Sequence, residues 1–422
     1  MERPKRNAMK LGTIIPCLLI LALASCGNLQ KDDQKIELVR KPYLQSAISD
    51  SISILWRTNT GDNCNVRYKL RGSKEWSNAD GVTRITNTNV VEHEVTLFNL
   101  NPATIYEYQI FTDNQQFLVD QNLRFPSPIG RKDSIFSFFA VGDIGEPVEE
   151  GGTPDALAKA LVPYVDSLKF GLLLGDIIYP DGKSEDYDSN LFQYFGAVFP
   201  YVPVFTILGN HDWHEPEENY VKEWKLPGNE YYYSFDYGNA HFVGLDTKMG
   251  DVLYDSAAQV KWLEADLASV GDQQDWKVVF LHHNGRSCTY KNDYKSVVGL
   301  YPIFEKYGVD LVLNGHAHTY ERLNPMDGEG QVVERAMSTH SHYQTPEGFI
   351  SITAGSGGKL RGVGTDPKPF HPDPDNCKYP NLVAASSHTW AFLTLKIEGK
   401  TLEGTAIATK DRKVVDQFRI SK

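Results

Sequence analysis

Cysteine is scarce in this chain: of five, Cys17 lies in the N-terminal leader and Cys26 directly after it, and only Cys64, Cys288 and Cys377 lie further along. Three is an odd number, which excludes a complete disulfide framework but lets one pair form in an oxidising compartment. Long apolar runs are missing past the N-terminus, where no stretch approaches the roughly 20 apolar residues that a membrane-spanning helix requires. Positive charge is in deficit as well. With 42 Lys and Arg against 54 Asp and Glu the formal charge is −12, which leaves no basic footprint for nucleic acid. The same field repels any anionic substrate, so such a substrate must be drawn by something local, and bound metal ions are the natural means. There is no internal repeat and no low-complexity segment. Ser356-Gly357-Gly358 lacks the Lys-Ser/Thr of a phosphate-binding loop and reads as a turn.

What is present begins with a leader. A basic start (Arg3, Lys5, Arg6, Lys10) runs into an apolar stretch from Leu11 to Leu23 and then the small residues Ala24 and Ser25, the pattern of a secretory signal peptide over residues 1–25. Leu23-Ala24-Ser25-Cys26 resembles the lipobox of bacterial lipoproteins. That resemblance implies a lipid on Cys26, a polar tether over residues 26–40, and an exported protein held at the periplasmic or cell surface. Gly27, rather than Asp, after the cysteine leans by analogy toward the outer membrane. Removing residues 1–25 takes away four basic groups and one acid, lowering the charge from −12 to −15.

Residues 41–128 carry short strand-like runs (Ser51 to Arg57, Asn65 to Leu70, Glu92 to Leu97, Thr104 to Phe111) separated by turns such as Thr60-Gly61-Asp62, with no helical period. They read as a small all-β sandwich. Ile54-Leu55-Trp56 and the corner Leu100-Asn101-Pro102-Ala103-Thr104-Ile105-Tyr106 resemble those of fibronectin type III-like domains. Pro126, Pro128 and Gly130 mark a boundary.

From residue 134 to 422 the pattern changes to continuous apolar runs alternating with helical periods, the signature of β-α-β units covered on both faces. The runs are Ile135 to Val141, Phe170 to Leu174, Val204 to Leu208, Val278 to Leu281 and Leu311 to Leu313. Helices are expected at Asp155 to Leu168, Ala257 to Ser269 and about Val298 to Tyr307. Further strands at Glu230 to Tyr237, His241 to Leu245, Phe349 to Thr353 and Ala391 to Ile397 suggest two mixed sheets packed together. Gly362 to Pro380 reads as a long surface loop.

Each of the five apolar runs ends in a potential metal ligand: Asp143, Asp176, Asn210 with His211, His282 with His283, and His316 with His318. Ligands in open α/β sheets bind at the carboxyl ends of strands, so these loops should converge. Oxygen and imidazole donors without thiolates suit Fe, Zn or Mn. About seven donors exceed one tetrahedral ion and match two metals bridged by a carboxylate, roughly 3.5–4 Å apart.

In order, Asp143-Ile144-Gly145, Gly175-Asp176-Ile177-Ile178-Tyr179, Gly209-Asn210-His211-Asp212, Val279-Phe280-Leu281-His282 and Gly315-His316-Ala317-His318 resemble the motifs of calcineurin-like metallophosphoesterases, and among them purple acid phosphatases. Gly145 stands where the wider superfamily has His, and Tyr179 replaces that ligand. The resemblance implies a four-layer α/β metallophosphoesterase sandwich of two mixed sheets flanked by helices, behind the fibronectin type III-like domain. It also implies Fe(III) on Asp143, Tyr179 and His318, a second ion (Fe, Zn or Mn) on Asn210, His282 and His316, Asp176 bridging, and His211 as the catalytic histidine. The expected activity is phosphomonoester hydrolysis; a phosphodiesterase, a nucleotide pyrophosphatase and a non-catalytic surface-binding protein are the competing readings.

The sequence departs from plant-type relatives by having no further His between Asn284 and Gly315. His283 is one substitute, and Asn284, Arg286 and Tyr290 lie in a loop that could contact substrate. Cys288 in that loop and Cys377 in the Pro-Asp loop lie in segments that could meet over the site and be joined by a disulfide. Glu321 and Arg322 are expected to pair structurally beneath the metals. His340, His342 and His388 read as surface or packing residues, and Tyr231 to Tyr233 as strand packing. Oligomeric state is not legible.

Overall fold

The computed structural model describes residues 35–422 apart from 118, 121–122, 132–134, 215–217, 249, 251–252, 254–255, 271–273, 340, 345–346, 363–376 and 380. The signal peptide, Cys26, His340 and most of the 362–380 loop therefore lie outside the described residues. Among those described, no helix is long and apolar enough to cross a membrane.

The chain opens with an all-β unit of two sheets. One orders Leu38–Ile48, Ser51–Thr58, Val91–Leu97 and Val82–Ile85; the other orders Ser77–Asp80, Cys64–Leu70, Ile105–Thr112 and Gln115–Phe117, with Arg124–Pro126 also on Ile105–Thr112. Ile105–Thr112 alternates buried and half-buried positions along its length, as a strand with one face on a core must. Trp56, Val66, Tyr108, Ile110 and Phe125 fill that core. The Trp56 Nε1–H donates to Thr112 Oγ1 at 3.1 Å, and the corner closes as Asn101 N–H donates to the Tyr106 hydroxyl at 2.9 Å.

Two mixed sheets follow. The eight-stranded sheet orders Val204–Thr206, Leu168–Leu173, Ile135–Val141, Ala391–Glu398, Thr401–Ala408, Val414–Ser421, His342–Gln344 and Met337–Thr339. The seven-stranded sheet orders Tyr233–Tyr237, Ala240–Gly244, Trp276–Phe280, Leu311–Asn314, Ile350–Ala354, Tyr320–Leu323 and Val383–Ser387. Aromatic side chains weld the two faces: Phe138 and Phe170 meet Phe242 edge-on at 5.2 Å, and Phe205 stacks on Phe235 at 3.9 Å. Such ring pairs add to the burial of large apolar area. Tyr233 belongs to this packing, its hydroxyl donating to the Thr206 carbonyl at 2.5 Å.

The strands that carry the donor loops lie in one parallel set within each sheet: Ile135–Val141, Leu168–Leu173 and Val204–Thr206 in one, Ala240–Gly244, Trp276–Phe280, Leu311–Asn314 and Ile350–Ala354 in the other. The fold matches the expected α/β arrangement of two mixed sheets behind a β domain. Helix Ser256–Val270 buries Gln259, Leu263, Leu267 and Val270 on one stripe, the helical spacing that an amphipathic connection needs.

Candidate metal centre

The strand ends deliver their side chains through backbone that few residues tolerate. Asp143 (φ 57°), Asp176 (φ 48°) and His316 (φ 67°) all adopt the left-handed region, a strain of order 1–3 kcal/mol each that is typically held in place by surrounding contacts at functional sites. Close approach by the neighbouring loops depends on glycine. A Cβ on Gly209 would stand 2.1 Å from Asp176 N, and one on Gly315 2.6 Å from Asp143 Oδ2.

Two groups of donors result. In the first, the Tyr179 hydroxyl lies 2.9 Å from both Asp143 Oδ1 and Asp176 Oδ2, with His318 Nε2 at 3.4 Å from the hydroxyl and from Asp143 Oδ1. All three oxygen donors are essentially inaccessible to solvent. One phenol hydrogen cannot serve two buried carboxylates fully, whereas a cation among the three oxygens and the imidazole satisfies them all. In the second group, His282 Nε2 lies 3.3 Å from Asn210 Oδ1, 3.3 Å from Asp176 Oδ1 and 3.2 Å from His316 Nδ1. Asp176 thus presents one carboxylate oxygen to each group.

The partners of these side chains fix their orientation. His282 Nδ1–H donates to the Leu174 carbonyl at 2.8 Å, which turns Nε2 inward, and His316 Nε2 meets the Tyr294 hydroxyl at 2.6 Å, which turns Nδ1 inward. Hydrogen bonds of this kind set the tautomer of metal-binding imidazoles. The Asp143 Oδ2 accepts from His316 N–H and Asp176 Oδ1 from His211 N–H, each at 2.8 Å.

Burial raises the Tyr179 phenol well above its ordinary range, and the Asp143 and Asp176 charges push the same way. For Asp176, burial acts upward too, but His282 and His211 outweigh it and hold the carboxyl well below the usual range. Asp212 is different. Its carboxylate accepts from Gly209 N–H at 2.8 Å, Ile177 N–H at 3.1 Å and Ile178 N–H at 3.3 Å, so it staples two ligand loops together. Burial, and then the neighbouring Asp176 charge, raise it to about 7.

His211 stands beside the first group, its ring 4.4 Å from that of Tyr179. Its Nδ1 meets the Pro180 carbonyl at 2.5 Å rather than Asp212. His283 is buried with Nδ1 on the Thr247 hydroxyl at 2.7 Å, and one ring nitrogen of each of His282, His283 and His316 lies within 4.8 Å of the others. Asn284 is turned elsewhere, its amide donating to Asn314 Oδ1 at 2.9 Å and to Thr353 Oγ1 at 2.6 Å. Arg286 pairs with Asp293 at 3.2 Å and donates to the Tyr379 hydroxyl at 2.6 Å. Neither of those two is directed at the metal groups by these contacts.

Cys288 and Cys377 form a disulfide with a Cα–Cα distance of 5.3 Å, and Cys64 is buried and free. Glu321 and Arg322 do not pair with each other but take separate structural partners. Successive strand residues face opposite sides, so Glu321 accepts from Ser287 Oγ at 2.7 Å and Cys288 N–H at 3.0 Å, while Arg322 pairs with Asp416 at 2.6 Å. The Ser356-Gly357-Gly358 turn packs against the first ligand loop, Gly358 N–H donating to the Asp143 carbonyl at 2.9 Å. His342 meets Ser421 Oγ at 3.1 Å and His388 the Arg361 carbonyl at 2.5 Å.

Sequence reasoning missed the loop after Ala240–Gly244. Leu245-Asp246-Thr247 has the same form, an apolar run and then Asp, and it supplies Thr247 to His283 and Asp246 Oδ1 to the Trp213 indole N–H at 3.1 Å. It also missed Lys359, whose Nζ lies 4.0 Å from the Tyr179 ring centre and pairs with the buried Glu146 at 2.5 Å.

Residues 136–320 match the family model for calcineurin-like phosphoesterases, and residues 40–125 match that for the purple acid phosphatase N-terminal domain. The chain is 26% identical over 366 residues to acid phosphatase type 7 of Danio rerio, covering 76% of this chain and 79% of that one. It is 27% identical over 332 residues to purple acid phosphatase 15 of Arabidopsis thaliana, covering 69% of this chain but 58% of the plant protein. The structure of a purple acid phosphatase from yellow lupin (Lupinus luteus) seeds superposes with a TM-score of 0.75 at 18% identity, over 90% of this chain and 74% of the lupin chain. At that identity the likeness is one of fold.

Proposed function

From the premise that the chain is a calcineurin-like metallophosphoesterase with a purple acid phosphatase N-terminal domain, we propose that it hydrolyses phosphomonoesters at a two-metal centre. The single observation that carries this reading is Asp176, whose two oxygens face two separate donor groups. The fold implies a dinuclear centre. On our reading Asp143, Tyr179 and His318 would hold one ion and Asn210, His282 and His316 the other, with Asp176 offering one carboxylate oxygen to each. A phenolate donor favours Fe(III) at the first position, with Fe, Zn or Mn at the second. When bound, the two ions supply positive charge for the phosphate oxygens and acidity to activate water.

The chain's own residues do the rest. The left-handed turns at Asp143, Asp176 and His316 set the donors in advance, so little reorganisation accompanies binding. His211, with Nδ1 engaged by the Pro180 carbonyl, keeps Nε2 for the leaving oxygen and, when protonated, donates to it. A non-catalytic role for this domain is disfavoured by the complete donor set, since a relic would be expected to have lost at least one member.

Asp176→Asn should lower the content of both metals and abolish turnover of every ester. His211→Ala should retain metals and lose about 10²–10⁴ in rate on alkyl phosphates but far less on nitrophenyl phosphate, whose leaving group departs without a proton. An equal His211→Ala defect on both esters, with metals retained, would remove the proton-donor role. Faster turnover of diesters than monoesters by the wild type would replace the monoesterase reading with a phosphodiesterase.

The proposed lipid anchor at Cys26 places the enzyme at the cell envelope, and the Cys288–Cys377 disulfide supports an oxidising compartment. Cys26→Ala should move the protein from the membrane fraction to the soluble one; an unchanged distribution would sink the anchor.

A further inference from the structure

Lys291 stands at the rim of the second donor group. Its Nζ lies 3.4 Å from His316 Nδ1, the nitrogen that is itself 3.2 Å from His282 Nε2, and donates to the His316 carbonyl at 3.0 Å. It also lies 5.8 Å from the ring of Tyr290, whose hydroxyl accepts from His318 N–H at 3.3 Å. A primary ammonium thus sits beside His316 of the second group, with Tyr290 leading from it toward His318 of the first, in a chain whose overall charge is −12.

The loop that bears it is fastened on several sides. Cys288 is joined to Cys377, Ser287 and Cys288 are held by Glu321, Asp293 N–H donates to the Gly285 carbonyl at 2.7 Å, and Tyr294 reaches His316. Fastening of this density fixes the lysine's point of attachment relative to the donors, which a mere solvated surface charge would not need. The stretch from Asn284 to Gly315 is also where the sequence has no histidine.

Resting on the phosphomonoesterase reading above, we propose that Lys291 contacts an unesterified oxygen of the substrate phosphate and selects monoester dianions over diester monoanions. A monoester near neutral pH carries about two negative charges on three terminal oxygens, and a diester has one charge and one terminal oxygen fewer. The metals neutralise part of either charge. An ammonium at the same rim gains most from the charge that only the monoester retains, and a compact point charge suits a single oxygen.

The test uses metal-loaded wild type, Lys291→Gln and Lys291→Arg. Inorganic phosphate binding is titrated calorimetrically, metal content is measured on the same samples, and kcat/KM is compared for 4-nitrophenyl phosphate and methyl 4-nitrophenyl phosphate. Lys291→Gln should keep both metals, weaken phosphate binding and monoester kcat/KM about 10- to 100-fold, and reduce the diester rate much less. Lys291→Arg should restore most of the loss. Unchanged phosphate affinity, or equal losses on the two esters, would overturn the proposal. Loss of metal from Lys291→Gln would overturn it too, by reducing the lysine to a support for His316. A wild type that binds phosphate but cleaves neither ester would overturn the phosphatase reading alone, because the phosphate titration would still decide whether Lys291 contacts the phosphate.

Discussion

At Tyr179 a buried phenol stands 2.9 Å from two carboxylates at once, and burial together with those charges makes its ionisation costly unless a cation is present. Metal binding should therefore displace the phenol proton. If Fe(III) occupies this position, Tyr179→Phe should abolish the visible charge-transfer absorption of the iron-loaded protein while changing side-chain volume very little; a variant that kept the band would remove Tyr179 from the coordination sphere. Most donors were legible because each follows its own strand in sequence, as Asp143 follows Ile135–Val141 and His316 follows Leu311–Asn314. Lys291 and Lys359 were not. Neither is marked by a local pattern, and both reach the site because distant loops fold over it, Lys359 onto the ring of Tyr179 and Lys291 onto His316.

Elements were read well where periodicity was unbroken and poorly where pairing alone made them. The helix expected to run to Leu168 ends at Leu161, with a tight turn at Val162–Tyr164 and the next strand beginning at Leu168. Pro163 lacks the N–H that would continue the ladder. The helix expected from Val298 divides into Lys295–Val298 and Tyr301–Tyr307, the second stopped by Gly308 at φ 65°. Tyr320–Leu323 has no apolar run and is a strand only through its partners Ile350–Ala354 and Val383–Ser387. The disulfide joins loops 89 residues apart, a separation for which loss of the link typically costs about 2–4 kcal/mol. Replacing both Cys288 and Cys377 by Ala should lower stability by about that amount in urea unfolding and raise KM by freeing the Lys291 loop. An unchanged KM would mean that the Glu321 contacts hold the loop without the disulfide.

Across the whole molecule, the β domain is joined to the catalytic sheets by buried charge. Arg40 meets Glu223 at 2.8 Å and Asp188 at 2.6 Å, while Arg57 meets Glu92 at 2.8 Å and Glu223 at 2.9 Å, and both guanidiniums are fully buried. Glu223→Ala would leave two buried guanidiniums short of a counter-charge, for which the typical cost is about 3–5 kcal/mol. Several of these contacts lack aligned hydrogen bonds, among them Arg40 Nη1 and Arg57 Nη2, so the lower end of that range is expected. Calorimetry should show Glu223→Ala unfolding at lower temperature, with the β domain melting ahead of the catalytic sheets; a transition unchanged within error would deny the network its joining role. By itself the sequence determined the strand-end donors and the succession of a β domain and an α/β domain, because each is written in contiguous residues whose period or order carries the information. Only the tertiary structure decided which way Glu321 and Arg322 face, that Asn284 turns inward, that Cys288 meets Cys377, and that Lys291 lies against His316. Those outcomes depend on which distant segments pack together, and packing is fixed by the summed burial of the whole core rather than by any local run of residues.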